Sequence, residues 1–211
     1  MLADKLVALA LPAPLAVLAL PRGGVPVAAE VARALRAPLD LLLVRKIGTP
    51  WQPELALAAV VEGEPPQIVV DDDLRRHAGC DAAYIERQAQ IALREIARRR
   101  AAWLRGRPAI ELAGRTVIVV DDGVATGTTV RAALQALRLR RPARLVLAVP
   151  VAPPDTLQRL AAEVDQAVCL LTPSPFRAVG AHYLHFAQLD DHEVTAALDA
   201  AVDGDAAAQL R

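Results

Sequence analysis

Five short, almost wholly apolar runs constrain the fold of this chain more than any other feature: positions 15–20, 39–44, 116–120, 144–149 and 167–171. A strand with one face in water alternates polar and apolar side chains. Runs that stay apolar at nearly every position belong to strands covered on both faces, as in a parallel sheet between helices. Amphipathic helical patterns lie between them at 25–35, 127–139 and 154–163. The repeated order of strand and helix predicts an α/β fold with an open, mainly parallel sheet, right-handed crossovers and flanking helices. Such sheets bind ligands beyond the carboxyl ends of their strands, so the turns after the runs are where a site is expected.

Two segments depart from the alternation. Residues 46–66 contain Gly48, Pro50, Pro53, Gly63, Pro65 and Pro66, so the ends at least are expected to be loop. Within them, 56–61 fits a short strand or a half-turn. Residues 81–104 form a long helical pattern in which Tyr84, Ile85, Ile91, Leu93, Ile96 and Trp103 are spaced among charges. This is an arm or cap packed against the sheet, with a dimer contact as the alternative. No repeat or low-complexity linker divides the 211 residues, so a single domain is expected over 1–211.

Charge and cysteine content narrow the function. Lys plus Arg and Asp plus Glu number 24 each, so the formal net charge is zero. Generic binders of nucleic acid or anionic membrane depend on excess positive charge, so neither partner is expected. All the basic residues except Lys5 and Lys46 are Arg, which is a compositional bias. Cys80 and Cys169 lack the spacing of a zinc site or a disulfide framework and read as buried or idle thiols in a reducing compartment. Residues 6–20 are apolar behind Lys5, but Pro12 and Pro14 interrupt them and no small-residue cleavage site follows. A cytoplasmic protein is expected.

The most informative segment is 117–130, where a buried strand ends in Asp121 and Asp122 and a turn rich in Gly and Thr opens into a helix. Successive backbone amides and the positive end of the helix suit a phosphate monoester. Thr126, Thr128 and Thr129 add hydroxyl donors, and Gly127 lets the backbone come close. The two carboxylates can accept hydrogen bonds from sugar hydroxyls or hold a hydrated Mg²⁺. No Gly-Lys-Ser/Thr follows, so this is not the nucleotide P-loop. A second turn, Pro21-Arg22-Gly23-Gly24, follows the first run, and Arg22 there has the geometry to clamp a phosphate. Arg45 and Lys46 close the second run. Glu54, in the loop beyond, is a candidate acid/base or a surface carboxylate. Residues 68–73 repeat the acidic strand end without a Gly/Thr turn, so a solvated strand end or a helix N-cap explains them. Residues 172–186 gather Phe176, Tyr183 and Phe186, together with His182 and His185.

The 117–130 segment resembles the PRPP-binding motif (PRPP, 5-phosphoribosyl pyrophosphate) of type I phosphoribosyltransferases. The Pro-Arg-Gly-Gly turn, the Val-Arg-Lys-Ile-Gly segment at 44–48, the Val-Pro-Val-Ala-Pro-Pro run at 149–154 and Thr-Pro-Ser-Pro-Phe at 172–176 resemble a bacterial subgroup of that family over about residues 15–200. The resemblance implies a PRPP-binding core over about 15–171 and a small hood within 172–190. Asp121 and Asp122 would then bind the ribose hydroxyls, directly or with Mg²⁺ through water. Ala125, Thr126, Gly127, Thr128 and Thr129 would cradle the 5′-phosphate, and Gly23 and Gly24 would line the pyrophosphate loop. Arg22, Lys46 and Glu54 would be catalytic, under a closing loop, and Phe176 and Tyr183 would contact the acceptor, although core packing explains those two rings equally well.

Two positions depart from the family pattern. Gly123 replaces a common aliphatic residue, and Ala125 stands where the 6-oxopurine enzymes carry an Asp. The resemblance implies a Mg²⁺-dependent transferase acting on PRPP and a small nitrogen acceptor, and assembly as a homodimer. A PRPP- or nucleotide-sensing regulator of the same fold is the alternative, and Arg22, Lys46 and Glu54 together favour the enzyme.

Overall fold

The structure is a computed structural model that describes residues 1–53, 55–63 and 65–209. In chain order it contains α1 (Leu2–Ala8), β1 (Leu15–Ala19), α2 (Gly24–Leu35), β2 (Leu39–Leu41), β3 (Val44–Gly48), β4 (Ala56–Val61) and β5 (Gln67–Val70). There follow α3 (Asp72–His77), α4 (Ala82–Leu104), β6 (Thr116–Val120), α5 (Thr128–Leu139), β7 (Arg144–Val151), α6 (Pro154–Ala161) and β8 (Gln166–Leu171). A 3-10 turn, Val179–His182, and α7 (Asp191–Gln209) complete the chain.

The predicted parallel sheet is present, with strand order β2-β1-β6-β7-β8. Val17 of β1 is in register with Ile118 of β6, which is in register with Val146 of β7. All five residues of β6 are buried, as an apolar run covered on both faces requires. On one face Val17, Ala19, Ile118 and Val120 pack with Leu6, Val25, Val31 and Leu198 from α1, α2 and α7. On the other, Ala16, Leu18, Val117 and Val119 pack with Ala133, Leu134 and Leu137 of α5 and Leu160 of α6. The apolar stripe of α5, Val130, Ala133, Leu134 and Leu137, has the spacing that brings one helix face onto a sheet.

The second apolar run does not form one strand. β2 ends at Leu41, and the chain crosses through Leu42 and Leu43 into a separate antiparallel sheet of order β3-β4-β5. Leu42 and Leu43 are buried at the crossing, so the apolar pattern continues although the hydrogen-bonding partner changes. Lys46 therefore belongs to β3, not to the end of the second strand. Much of 46–66 is sheet rather than loop, and 56–61 is a strand. Tight packing at the hairpin explains the glycine there: a Cβ on Gly48 would lie 2.1 Å from the Pro53 carbonyl oxygen.

The 81–104 pattern is one helix, α4, capped by Asp81, whose side chain accepts from the Tyr84 amide at 2.7 Å. It covers the antiparallel sheet and α7, and the Tyr84 hydroxyl donates to the Gly48 carbonyl at 2.9 Å. Asp71 caps α3 by accepting from the Leu74 amide at 2.9 Å, so of the two readings of 68–73 the helix N-cap is the one present. Among the described residues no helix is long and apolar enough to cross a membrane.

A buried charge cluster joins the two sheets. The Glu62 carboxylate accepts from the Leu43 amide and from Arg100, each at 2.9 Å, while the Glu62 amide donates to the Leu43 carbonyl at 3.0 Å. Arg100 also reaches Asp40 at 3.4 Å, and Asp40 accepts from the Ile110 amide at 3.2 Å. Burial pushes the Glu62 carboxyl above its ordinary range, and the Arg100 charge opposes that shift. Removing the shared cation strands two carboxylates in an apolar setting. Arg100→Met should therefore cost about 3 kcal/mol of stability in denaturant unfolding, and the Arg100→Met/Glu62→Gln pair should recover part of it. A loss below about 1 kcal/mol for Arg100→Met would show that water, not Arg100, compensates these carboxylates.

Candidate functional site

Strand β6 delivers Asp121 and Asp122 to the carboxyl edge of the parallel sheet. The Asp121 carboxylate accepts from the Asp122 amide at 2.9 Å. Burial, and then the neighbouring Asp122 charge, hold the Asp121 carboxyl well above the ordinary carboxylate range. Burial raises Asp122 as well. The chain then turns through Gly127, which caps α5 in the left-handed region at φ +79°. Ala125, Thr126 and Thr128 are exposed on this turn, while Gly127 is buried against α6. Among the described residues, the amides of Ala125, Thr126, Gly127, Thr128 and Thr129 donate to no protein acceptor. Five open donors at a helix N-terminus are an arrangement that can hold an anion.

The turn after β1 meets this edge directly. A Cβ on Gly23 would lie 1.8 Å from Oδ2 of Asp122, and one on Gly24 would lie 2.8 Å from the Val120 carbonyl oxygen. Only glycine allows the two turns to touch in this way. The Pro21–Arg22 peptide in the same turn is cis.

Arg22 is placed differently from the expected phosphate clamp. Its guanidinium donates to the Leu189 carbonyl at 2.8 Å, pairs with Asp191 at 2.9 Å and lies 5.8 Å from the centroid of the Trp103 ring. The backbone of the turn faces the acidic pair while the arginine side chain is engaged by α7 and α4. Lys46 lies exposed on β3, in register with Ala59, on a different sheet from the strand that carries Asp121 and Asp122. Glu54 lies outside the described residues.

The C-terminal segment docks onto the acidic turn. A Cβ on Gly123 would lie 2.6 Å from a methyl of Val179 and 2.8 Å from one of Val151, so these side chains fill the space an aliphatic residue would need. The Tyr183 hydroxyl donates to the Asp122 carbonyl. Burial, with the Asp122 and Asp121 charges, pushes the pKa of that hydroxyl up to about 12. Phe176 stacks on His182, centroids 5.6 Å apart, and Tyr183 tilts against Phe186 at 5.2 Å. These rings pack on one another in pairs, and both Phe176 and Tyr183 are half-buried. Asp191, Val179 and Thr156 of α6 touch the site loops without having been singled out in the sequence. Each stands far from those loops along the chain, where no local pattern marks it.

A family model described as phosphoribosyl transferase domain matches residues 3–183. "Putative phosphoribosyl transferase Rv0571c" of Mycobacterium tuberculosis is 48% identical over 185 residues, 88% of this chain and 41% of that protein. The chain thus spans about two fifths of the length of that curated relative. The crystal structure of TT1426 from Thermus thermophilus is similar with a TM-score of 0.81 and 46% identity, over 93% of this chain and 92% of that one. A 41-residue stretch, 19% of this chain, is 58% identical to part of "Bifunctional protein PyrR" from Chloroflexus aurantiacus, covering 22% of that protein.

The raised Asp121 carboxyl has a consequence for stability. Above the ordinary value of 3.8 the unfolded chain releases this proton while the folded chain keeps it, so stability falls with rising pH until the folded group also ionises. Asp121→Asn is neutral throughout. Its melting temperature should exceed that of the wild type near neutral pH, and the gap should close as pH falls towards about 4. Melting curves across that range test this, and a gap that does not change with pH would count against a buried, strained carboxyl.

Proposed function

The chain belongs to the phosphoribosyl transferase domain family, and from that premise we propose that it moves the 5-phosphoribosyl group of PRPP to a nitrogen of a small, nucleobase-like acceptor and releases pyrophosphate. The observation that carries this reading is the contact of the Gly23 turn with Asp122 beside the open amides of Ala125 to Thr129. One turn offers backbone to a diphosphate, the other offers donors to a monoester, and two carboxylates between them suit sugar hydroxyls.

In this reading the 125–129 amides and threonine hydroxyls hold the 5′-phosphate, and Asp121 and Asp122 accept from the ribose hydroxyls. Gripping the sugar at both ends supplies orientation, which an oxocarbenium-like transition state needs more than it needs a protein nucleophile. Gly23 and Gly24 approach the pyrophosphate through their backbone. Arg22 reaches it only by leaving Asp191, so in the arrangement described the backbone carries that side of the site. Lys46, on β3, belongs to the element that closes over the substrate and excludes water, hydrolysis being the competing reaction.

The donor set fits Mg²⁺. Two carboxylates raised by burial, Asp121 also by the Asp122 charge, are relieved by a divalent cation, and Mg²⁺ takes one or two carboxylates, waters and substrate phosphates instead of a full protein cage. When bound, it supplies charge neutralisation on the departing pyrophosphate. Ala125 offers no proton acceptor in the loop, which argues against a 6-oxopurine as the acceptor. The Arg22–Asp191 pair favours a second reading, a sensor that binds PRPP without turnover, because it keeps the side-chain cation from the leaving group.

Pyrophosphate release from Mg²⁺ and PRPP, assayed against a panel of purine and pyrimidine bases, tests the choice. Base-dependent release is expected, lower by about a hundredfold or more in Asp122→Asn/Thr126→Ala. Undiminished release by that variant would overturn the assignment of the site. PRPP binding by calorimetry without release on any base would favour the sensor.

A further inference from the structure

A loop that binds an anion through backbone amides must turn its N–H groups inward, and a trans peptide then turns the preceding carbonyl outward. An outward carbonyl facing protein needs a donor, and that donor decides which way the peptide plane points. At the 125–126 peptide the donor is Thr156. Its hydroxyl gives a hydrogen bond of 3.0 Å to the Ala125 carbonyl, on the side of the loop opposite the Thr126 amide. Thr156 is 3% exposed, in the first turn of α6.

Two further contacts set its orientation. Arg159, one turn on, donates to the Thr156 hydroxyl oxygen at 3.0 Å. With that oxygen occupied as an acceptor, the hydroxyl proton is left for Ala125. The Thr156 methyl lies 2.9 Å from where a Cβ on Gly127 would be, so the same side chain also backs the left-handed residue that turns the loop into α5. Hydroxyl and methyl thus bear on two points of the loop from outside.

We infer that Thr156 is a positioning residue for the anion cradle: it pins the 125–126 peptide with the Thr126 amide facing inward, and Arg159 directs its hydroxyl. This rests on the reading that the 125–129 loop holds a phosphate. It extends the site to α6, a helix that neither turn identifies. Losing the hydroxyl frees the peptide to rotate, so phosphate affinity falls while the acidic pair stays intact.

Calorimetry with ribose 5-phosphate as probe tests this on the full chain. Thr156→Val keeps the shape and removes the hydroxyl, and is expected to weaken binding about tenfold, with KM for PRPP rising by a similar factor and kcat changing little. Thr156→Ser keeps the hydroxyl and should bind within about threefold of the wild type, a rescue that a purely structural role for the β-methyl would not give. Arg159 is exposed, so Arg159→Met spares the fold if Thr156→Val does not fold, and should show a smaller loss in the same direction. In the double variant the loss should not exceed that of Thr156→Val alone, because both act through one hydroxyl. Wild-type affinity in Thr156→Val, or additive losses in the double variant, would overturn the inference. If the wild type binds neither ribose 5-phosphate nor PRPP, the phosphate reading of the loop itself fails, a result separate from equal binding by wild type and variant.

Discussion

Gly23 and the Asp122 carboxylate are closer than any residue with a side chain would allow, and the arrangement of the site depends on that contact. It exists because β1 and β6 are neighbours in parallel register, Ala19 opposite Val120, so their following turns leave the same edge of the sheet side by side. Parallel pairing sends both chains the same way, and burial of both strands keeps the register from slipping. One slip would turn Asp121 towards the core and separate the turns. The apolar runs and the two glycines are therefore parts of one constraint.

A second requirement follows from crowding polar turns at a sheet edge. Their amides are left open, so their carbonyls need partners elsewhere, and the loop is tied down from several elements. Tyr183 supplies a donor to the Asp122 carbonyl, Thr156 supplies one to Ala125, and the Val151 carbonyl accepts from the Val124 amide at 2.9 Å. The loop is held from outside by α6, β7 and the C-terminal segment, with its inner face free. Such preorganisation is what an electrostatic site needs, since donors already aimed require no reorganisation when charge arrives.

The antiparallel sheet has a different basis. Its junction with the parallel sheet carries a charged cluster, Glu62, Arg100 and Asp40, beside the buried apolar Leu42 and Leu43. Buried ion pairs contribute less to stability than their contacts suggest, and are better understood as setting one arrangement among alternatives. Here the pairs span the change of sheet at Leu42 and Leu43, Asp40 lying in β2 and Glu62 just beyond β4. The elements above that junction, β3 with Lys46 and the hairpin beyond, take their place from it.

By itself the sequence determined the parallel sheet, the helices over it, the long α4 and the acidic turn leading into α5. These are local signals: apolar periodicity, caps such as Asp71 and Asp81, and glycines where a chain must turn or approach closely. Family membership was legible for the same reason, since its motifs lie within short contiguous stretches. Only the tertiary structure decided that the second run splits between two sheets, because Leu42 and Leu43 are equally apolar whether they continue a strand or cross between sheets. It also decided where Arg22 points and which threonine meets the Ala125 carbonyl. Arg22 and Asp191 lie near opposite ends of the chain, and Thr156 is 31 positions from the carbonyl it holds. No pattern along a sequence records which distant donor meets which acceptor, because that is settled when the helices pack.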